Sequence, residues 1–276
     1  MNIRDHNTWW FTLIIGILFM QYVRPYEITG LTFLAAVRPY ILLVTLLTGF
    51  IIFYKGRECL QLGSSQIRLL WLILLWMILH VPLAQVKSIA FYQTRDVILY
   101  MPFILSTVIV VNNVLRLRQF INILISIGVI ISVRGLFLHE GFERGASFNL
   151  GNFLSDPNDF SLFMDMMLPF SFFLMMYEKN RIKKILYGVA AALCVLCTIV
   201  SFSRGGFLGL VFVGGVIWWY NPNKKLTTSV IAIAIVLTII FAGRGYIDQM
   251  GQVTNVNDPT AQTRITMWKA SWKVFT

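Results

Sequence analysis

Nine long apolar runs, separated by short polar segments, account for most of the first 241 residues of the chain. Hydrophobic residues make up 57% of the sequence and charged residues only 13%, about half the charged fraction of a typical soluble domain. Runs of this kind are typical of helices that cross a hydrocarbon layer of about 30 Å. The sequence therefore predicts an all-α fold, a polytopic membrane helical bundle of about nine transmembrane helices.

The predicted spans cover residues 8–23, 33–54, 69–83, 97–111, 120–138, 160–177, 185–200, 207–220 and 226–241. Several are short for the bilayer, so the helix ends are expected to extend into the polar flanks. No small-residue cleavage site follows the first run, which indicates a retained span rather than a signal peptide. The predicted domains are a transmembrane bundle over residues 1–241 and the start of a periplasmic loop over residues 242–276.

Basic residues are concentrated on alternate loops, at residues 55–68, 116–118, 179–184 and 224–225. The positive-inside rule places these loops and the N-terminus in the cytoplasm, and the segment after residue 241 outside. The bias is moderate, because the opposite face carries a similar number of basic residues, most of them arginines. Those arginines either bind an anionic ligand or pair with carboxylates, and the sequence leaves both possibilities open. The carboxylates of that face are Glu27, Asp96, Glu140, Glu143 and Asp156.

A polar break, SFSRGG at residues 201–206, separates the seventh and eighth runs. Ser203 is placed to cap a helix that begins near Gly205, and Arg204 lies at the mouth of a span, where a charge is costly and usually functional. A capping serine, an arginine and two glycines at the positive end of a helix dipole are suited to binding phosphate. The alternative is helix packing alone, since Gly205 and Gly209 are four residues apart.

The loop before the sixth run is rich in turn-forming residues, and Asn158 or Asp159 is expected to cap that span. Asp165 follows inside the run itself. A carboxylate within a membrane span is expected to face the interior of the bundle or a cavity. We hypothesise Arg134, near the outer end of the fifth run, as its partner.

The last segment has a helical pattern in which Ile265, Trp268, Trp272 and Phe275 recur on one face. A helix that carries tryptophan and lysine outside the last span is typical of the membrane interface, so contact with membrane lipid is predicted. Because the chain stops within this helix, we expect it to be a truncated protein.

The cysteines and histidines do not form a recognisable metal or redox site. Cys194 and Cys197 form a C-x-x-C inside an apolar run, where they are interpreted as packing residues. The three histidines are far apart in the sequence. We therefore predict no metal and no cofactor. The net charge of +11 is assigned to the loops, and no nucleic-acid partner is predicted, because no basic stretch is interleaved with exposed aromatic residues.

Three motifs resemble the O-antigen ligase and polymerase superfamily, which are bacterial inner-membrane glycosyltransferases. They are SFSRGGFL at residues 201–208, DPNDF at residues 156–160 and TRITMWKASWKVF at residues 263–275. The resemblance implies that a glycan on undecaprenyl pyrophosphate is transferred to an acceptor hydroxyl at the periplasmic face during lipopolysaccharide or other cell-envelope polysaccharide biosynthesis. The acceptor would be lipid A core, another glycan or a protein.

The resemblance also implies a set of binding residues. Arg204 and Arg264 match arginine positions of the family, and with Ser203 and Gly205 they are the predicted substrate-binding residues. The family's catalytic histidine has no counterpart, since His6, His80 and His139 lie elsewhere. The chain alone is therefore expected to bind the donor without transferring the glycan. The alternative function is a multi-span transporter of a small solute, which would place its charges near the midplane between repeated halves; no internal repeat is visible.

Overall fold

The computed structural model describes residues 3–25, 41–49, 65–138, 154–225, 227–229, 232, 236 and 259–275. Within these ranges the chain consists of helices and short connections, with no strand. The predicted all-α fold is therefore confirmed. The chain forms two compact units, Met1–Ile127 and Gly128–Thr276. The predicted domain boundary at residue 241 lies outside the described residues.

Eight helices of three or more turns have defined bounds in the described ranges. They are α1 (Ile3–Tyr22), α2 (Ser65–His80), α3 (Lys87–Val110), α4 (Val114–Leu138), α5 (Pro157–Tyr177), α6 (Arg181–Val200), α7 (Arg204–Tyr220) and α8 (Pro259–Phe275). A 3-10 turn, Val81–Leu83, follows α2, and residues 41–49 are helical as well.

Five helical segments in the described part of the chain are long and apolar enough to cross a membrane. They are Ser65–Leu83, Lys87–Val110, Val114–Phe137, Pro157–Tyr177 and Arg181–Val200. Two shorter apolar helices, Thr8–Tyr22 and Arg204–Tyr220, accompany them. These segments lie at the positions of the first and the third to eighth predicted spans. The second and ninth predicted spans fall mostly outside the described residues, so the count of nine stays a prediction.

The first unit contains α1 to α3 and the beginning of α4. Helix α3 packs against α1 and α2, and Ile14, Met101 and Leu105 are buried. Helix α3 begins at Lys87, before the predicted start at residue 97, as expected for a span whose end extends into a polar flank. Apolar residues on the outside of α2, such as Trp76 at 70% exposure, suit contact with lipid.

The second unit is organised around α5, which packs against both α6 and α7. Short turns connect α5 to α6 and α6 to α7, so successive helices are antiparallel. The N-termini of α5 and α7 consequently lie at one end of this three-helix group. The basic turn at residues 179–184 and the lysines at 224 and 225 lie at the other end.

The interior of the second unit holds the two described cysteines. Cys194 and Cys197 are buried in α6, and the Cys197 thiol donates to the Ser132 carbonyl oxygen at 3.8 Å. The Ser132 hydroxyl donates to the sulfur of Met164 at 3.2 Å. Both cysteines are thus packed among neighbouring helices, in agreement with their interpretation as packing residues.

Candidate functional site

The turn between α6 and α7 ends in a serine that caps α7. The backbone N–H of Gly206 donates to the Ser203 hydroxyl oxygen at 3.0 Å, and the N–H of Phe207 donates to the Ser203 carbonyl oxygen at 2.9 Å. The Ser203 side chain is buried. The prediction that Ser203 caps this helix is confirmed, and the helix begins at Arg204.

Phe202, in the middle of the same turn, has a left-handed backbone with a φ of 50°. This conformation costs a residue with a side chain about 1 kcal/mol or more. The Phe202 ring is buried against Ile199, and the N–H of Ser203 donates to the Ser201 hydroxyl oxygen at 3.3 Å. Packing and hydrogen bonding together hold the turn in one shape. The fixed shape of the turn sets the orientation of Arg204 at the start of α7.

Helix α5 begins at the same end of the group as α7, and its cap is Asp156. The Asp156 carboxylate accepts hydrogen bonds from the backbone N–H of Asn158 at 2.7 Å and from its side-chain amide at 3.0 Å. The prediction that Asn158 or Asp159 caps this helix is wrong. The physical reason is Pro157, which has no N–H and a fixed φ suited to the first helical position, so the helix starts directly after Asp156.

The side chain of Asn158 joins the N-termini of α5 and α7. Its Oδ1 accepts a hydrogen bond from the Ser203 hydroxyl at 2.7 Å, between residues 45 positions apart in the chain. A Cβ placed on Gly205 would lie 3.9 Å from the same oxygen. The positive ends of two helix dipoles therefore meet at one place, which we call the α5–α7 junction.

The two helix ends at the α5–α7 junction differ in charge. The carboxylate of Asp156 offsets the positive end of α5. The cap of α7, by contrast, is the neutral hydroxyl of Ser203, and the first residue of α7 is the half-buried Arg204. Gly205 is exposed, and its N–H has no hydrogen-bond partner among the described residues. An anion at the junction would thus meet a positive side chain and an N–H donor on the α7 side.

Helix α6 also begins with an arginine directly after a cap, but its surroundings differ. Its cap is Asn180, which accepts from the N–H of Ile182 at 2.9 Å and of Lys183 at 3.2 Å, and its first residue is Arg181. Arg181 and Asn180 are exposed. No described hydrogen bond ties this end of α6 to the N-terminus of another helix. The α7 end differs in having a buried cap and a second helix N-terminus beside it.

Beyond the α5–α7 junction, two glycines bring α7 into close contact with α5. A Cβ on Gly206 would come closer than 3.0 Å to the Ser161 side chain, and a Cβ on Gly209 would come closer than 3.0 Å to the Asp165 carboxylate. Real Cβ atoms do not make such short contacts, so the helices can approach this closely only because both positions are glycine. Packing therefore explains Gly209, whereas Gly205 has ordinary clearance on every side.

Asp165 is buried where α5, α6 and α7 meet, at 4% exposure, so the expectation that it faces the bundle interior is confirmed. Its Oδ1 accepts a hydrogen bond from the hydroxyl of Thr198 on α6 at 3.2 Å. The described partner is therefore Thr198 and not Arg134, which was hypothesised from the sequence. The hydroxyl of Ser201 in turn donates to the Thr198 carbonyl at 2.7 Å, which links this buried carboxylate to the turn before Ser203.

The remaining predicted residues are not on α5 or α7. Arg264 is on α8 with an exposed side chain. His80 is exposed at the end of α2; His139 and the side chain of His6 are outside the described residues. Arg95 pairs with Asp96 at 2.7 Å, so carboxylate pairing, one of the two open possibilities, is confirmed for this arginine.

Comparison with protein families gives one finding for this chain. Residues 189–276 match the family model described as O-Antigen ligase. The matched range begins within α6 and includes the α6–α7 turn, α7 and α8. Comparison with curated proteins and with solved structures gives no match.

Proposed function

The match over residues 189–276 supports membership of the O-antigen ligase superfamily, and from that premise we propose a function for this protein. We propose that it acts in the transfer of a glycan from undecaprenyl pyrophosphate to an acceptor hydroxyl at the periplasmic face of the bacterial inner membrane, as the part that binds the donor. The acceptor is lipid A core, another glycan or a protein. The observation that carries the proposal is the α5–α7 junction, at which Arg204 follows a buried cap tied to a second helix N-terminus.

The chemistry of this transfer requires stabilisation of a leaving pyrophosphate. The acceptor hydroxyl loses its proton to water as its oxygen forms a bond to the anomeric carbon, and the bond from that carbon to the pyrophosphate oxygen breaks. Negative charge therefore develops on the lipid pyrophosphate. A planar guanidinium can bind two phosphate oxygens at once, and Arg204 supplies it, while the Gly205 N–H supplies a neutral donor. We assign Ser203 the role of holding this end of α7 in place. Arg264 is proposed as a second arginine for the donor.

The length of α7 supports a site at membrane-surface depth. The helix has 17 residues and is therefore about 26 Å long, slightly less than the hydrocarbon layer of about 30 Å. Arg204, at its first position, would then lie near the boundary between hydrocarbon and headgroups. The pyrophosphate of a lipid-linked donor lies at that depth as well, because its polyprenyl chain occupies the hydrocarbon.

We further propose that the N-terminus is cytoplasmic and that the α5–α7 junction faces the periplasm. The support is the basic turn between α5 and α6, which lies at the end of the group away from Arg204. Reporter fusions after Lys183 are expected to be active in the cytoplasm, and fusions after Gln252 in the periplasm. The opposite pair of activities would show that the junction faces the cytoplasm and cannot use a periplasmic acceptor.

One observation favours the alternative, a transporter of a small solute. Asp165 is a buried carboxylate within a membrane-spanning helix, as in many ion and solute pathways. However, one of its oxygens accepts the Thr198 hydrogen bond, and the other leaves no room for a Cβ on Gly209. The arginine of the site lies at the end of a helix rather than near the midplane. The arrangement therefore supports the transferase better.

A deletion strain separates the two functions. Loss of the gene is expected to abolish the surface glycan, with lipid-linked precursor accumulating, while uptake of small solutes stays normal. The wild-type gene on a plasmid should restore the glycan. A deletion strain with a normal surface glycan and a specific uptake defect would instead establish the transporter.

A further inference from the structure

Helix α8 presents nearly all of its described side chains to the outside. Between residues 262 and 273 every side chain is exposed except that of Ile265, which is half-buried. Trp268 is 71% exposed and Trp272 is 72% exposed. With 3.6 residues per turn, Ile265, Trp268 and Trp272 share one face of the helix, which we call the tryptophan face.

The charged residues of α8 all have the same sign. Helix α8 contains Arg264, Lys269 and Lys273 and no aspartate or glutamate. Helical spacing places Lys269 and Lys273 along one side of the tryptophan face and Arg264 along the other. Ala270 and Thr263 lie on the opposite face of the helix. A narrow aromatic face is therefore bordered by positive charge on both sides.

We propose that α8 lies in the plane of a bilayer surface, with the tryptophan face in the lipid and with Lys269 and Lys273 on anionic phospholipid headgroups. Indole rings prefer the depth of the headgroups, where the ring contacts acyl chains and the N–H contacts water. Lysine and arginine at the borders can extend to phosphates while their methylene stems stay in apolar surroundings.

The charge pattern selects a lipid surface over the other possible occupants. If α8 were surrounded only by water, the two indole rings on this face would stay exposed to it. A protein partner that covered the tryptophan face would need carboxylates along both of its borders to match the cations. A bilayer with anionic lipid supplies acyl chains for the tryptophan face and, directly above them, negatively charged headgroups for the cations. Each lysine near such a surface raises the partition coefficient of the helix from water to the membrane by about fivefold. This binding mode does not depend on glycan transfer.

The depth of α8 can be measured with two single-cysteine variants of the whole chain. Ile265→Cys places a fluorescent label on the tryptophan face, and Ala270→Cys places it on the opposite face. Cys59 is replaced by serine in both, and the parent without a new cysteine controls for labelling of the buried Cys194 and Cys197. The protein is reconstituted in vesicles of phosphatidylcholine mixed equally with phosphatidylglycerol.

At position 265 we expect quenching by nitroxide lipids to exceed quenching by aqueous iodide several-fold, and at position 270 we expect the reverse. Equal access of iodide to both labels would show a helix in water and overturn the proposal. A label at position 265 that neither quencher reaches would show that protein covers this face, which overturns it equally.

The role of the cations is tested with Lys269→Gln combined with Lys273→Gln. In anionic vesicles this double variant is expected to raise iodide access at position 265 to the level seen in phosphatidylcholine alone. Lys179→Gln combined with Lys183→Gln, which removes two exposed lysines elsewhere in the second unit, should leave access unchanged. If iodide access at position 265 depends neither on the fraction of anionic lipid nor on the replacement of Lys269 and Lys273, the electrostatic part of the proposal is wrong.

Discussion

Replacement of Arg204 by alanine is expected to lower glycan transfer by about a hundredfold to a thousandfold, the usual cost of removing one donor that stabilises a developing negative charge. In this variant the leaving pyrophosphate would still meet the Gly205 N–H, but no positive side chain at the first turn of α7. Transfer is measured in membranes of the deletion strain that carry the variant gene, with labelled lipid-linked glycan. Donor affinity of the purified chain should fall about tenfold to a hundredfold.

Two further variants test which property of Arg204 matters for transfer: the planar shape of its guanidinium, its charge or its position in the fold. Arg204→Lys keeps the charge but loses the planar two-pronged contact, so it should recover only part of the activity. Arg181→Ala is the matched control, because Arg181 is also the first residue of a capped helix but lies at the other end of the group. It should leave both transfer and donor affinity unchanged.

The outcome is interpretable only for folded protein, so each variant is compared with the wild type by size-exclusion chromatography and thermal unfolding in detergent. A folded Arg204→Ala protein with wild-type donor affinity would remove Arg204 from the site. Loss of folding in both the alanine and the lysine variants would show that Arg204 is structural.

The features that the sequence predicted correctly depend on neighbours close in the chain. A helix cap acts through the next two or three residues, so Ser203 followed by Gly206 could be recognised from the local pattern alone. The apolar runs likewise predicted the described spans from hydropathy and length. The cap of α5 was misplaced because proline at the first helical position outweighed the asparagine and aspartate that follow it.

The features that the sequence did not predict depend on packing between distant segments. The Asn158–Ser203 hydrogen bond requires the N-termini of α5 and α7 to meet, and no local pattern specifies that contact. The same holds for Asp165, whose partner Thr198 is an ordinary helix residue in an apolar run. The one available signal was the DPNDF segment at residues 156–160, which resembled a family motif but was interpreted as a turn-rich loop without a partner.

The second large effect is expected at Gly209, where an alanine should destabilise the second unit by about 1–3 kcal/mol. The added Cβ would come closer than 3.0 Å to the Asp165 carboxylate. That carboxylate has little room to move, because it is buried and accepts the Thr198 hydrogen bond. Helix α7 would have to shift away from α5. The free energy of unfolding is measured in mixed detergent micelles.

A double-mutant cycle with Asp165→Ala identifies the cause of this loss. Truncation of Asp165 removes the atoms in the way, and the nearest remaining atom, its own Cβ, lies 4.0 Å from the added methyl group, an ordinary contact. In the Asp165→Ala background, Gly209→Ala should therefore change stability by no more than about 0.5 kcal/mol. The two substitutions are non-additive because they act on the same contact.

Gly215→Ala supplies the matched control for the glycine itself. It lies on the same helix, and a Cβ there would meet no atom within 4 Å, so the substitution should be neutral or slightly stabilising through helix propensity. A loss at Gly209 that is equally large with and without Asp165 would mean that the close approach to the carboxylate is not its cause. The spacing of α7 from α5, and with it the position of Arg204, would then have to be set by the Asn158–Ser203 hydrogen bond and by Gly206 against Ser161.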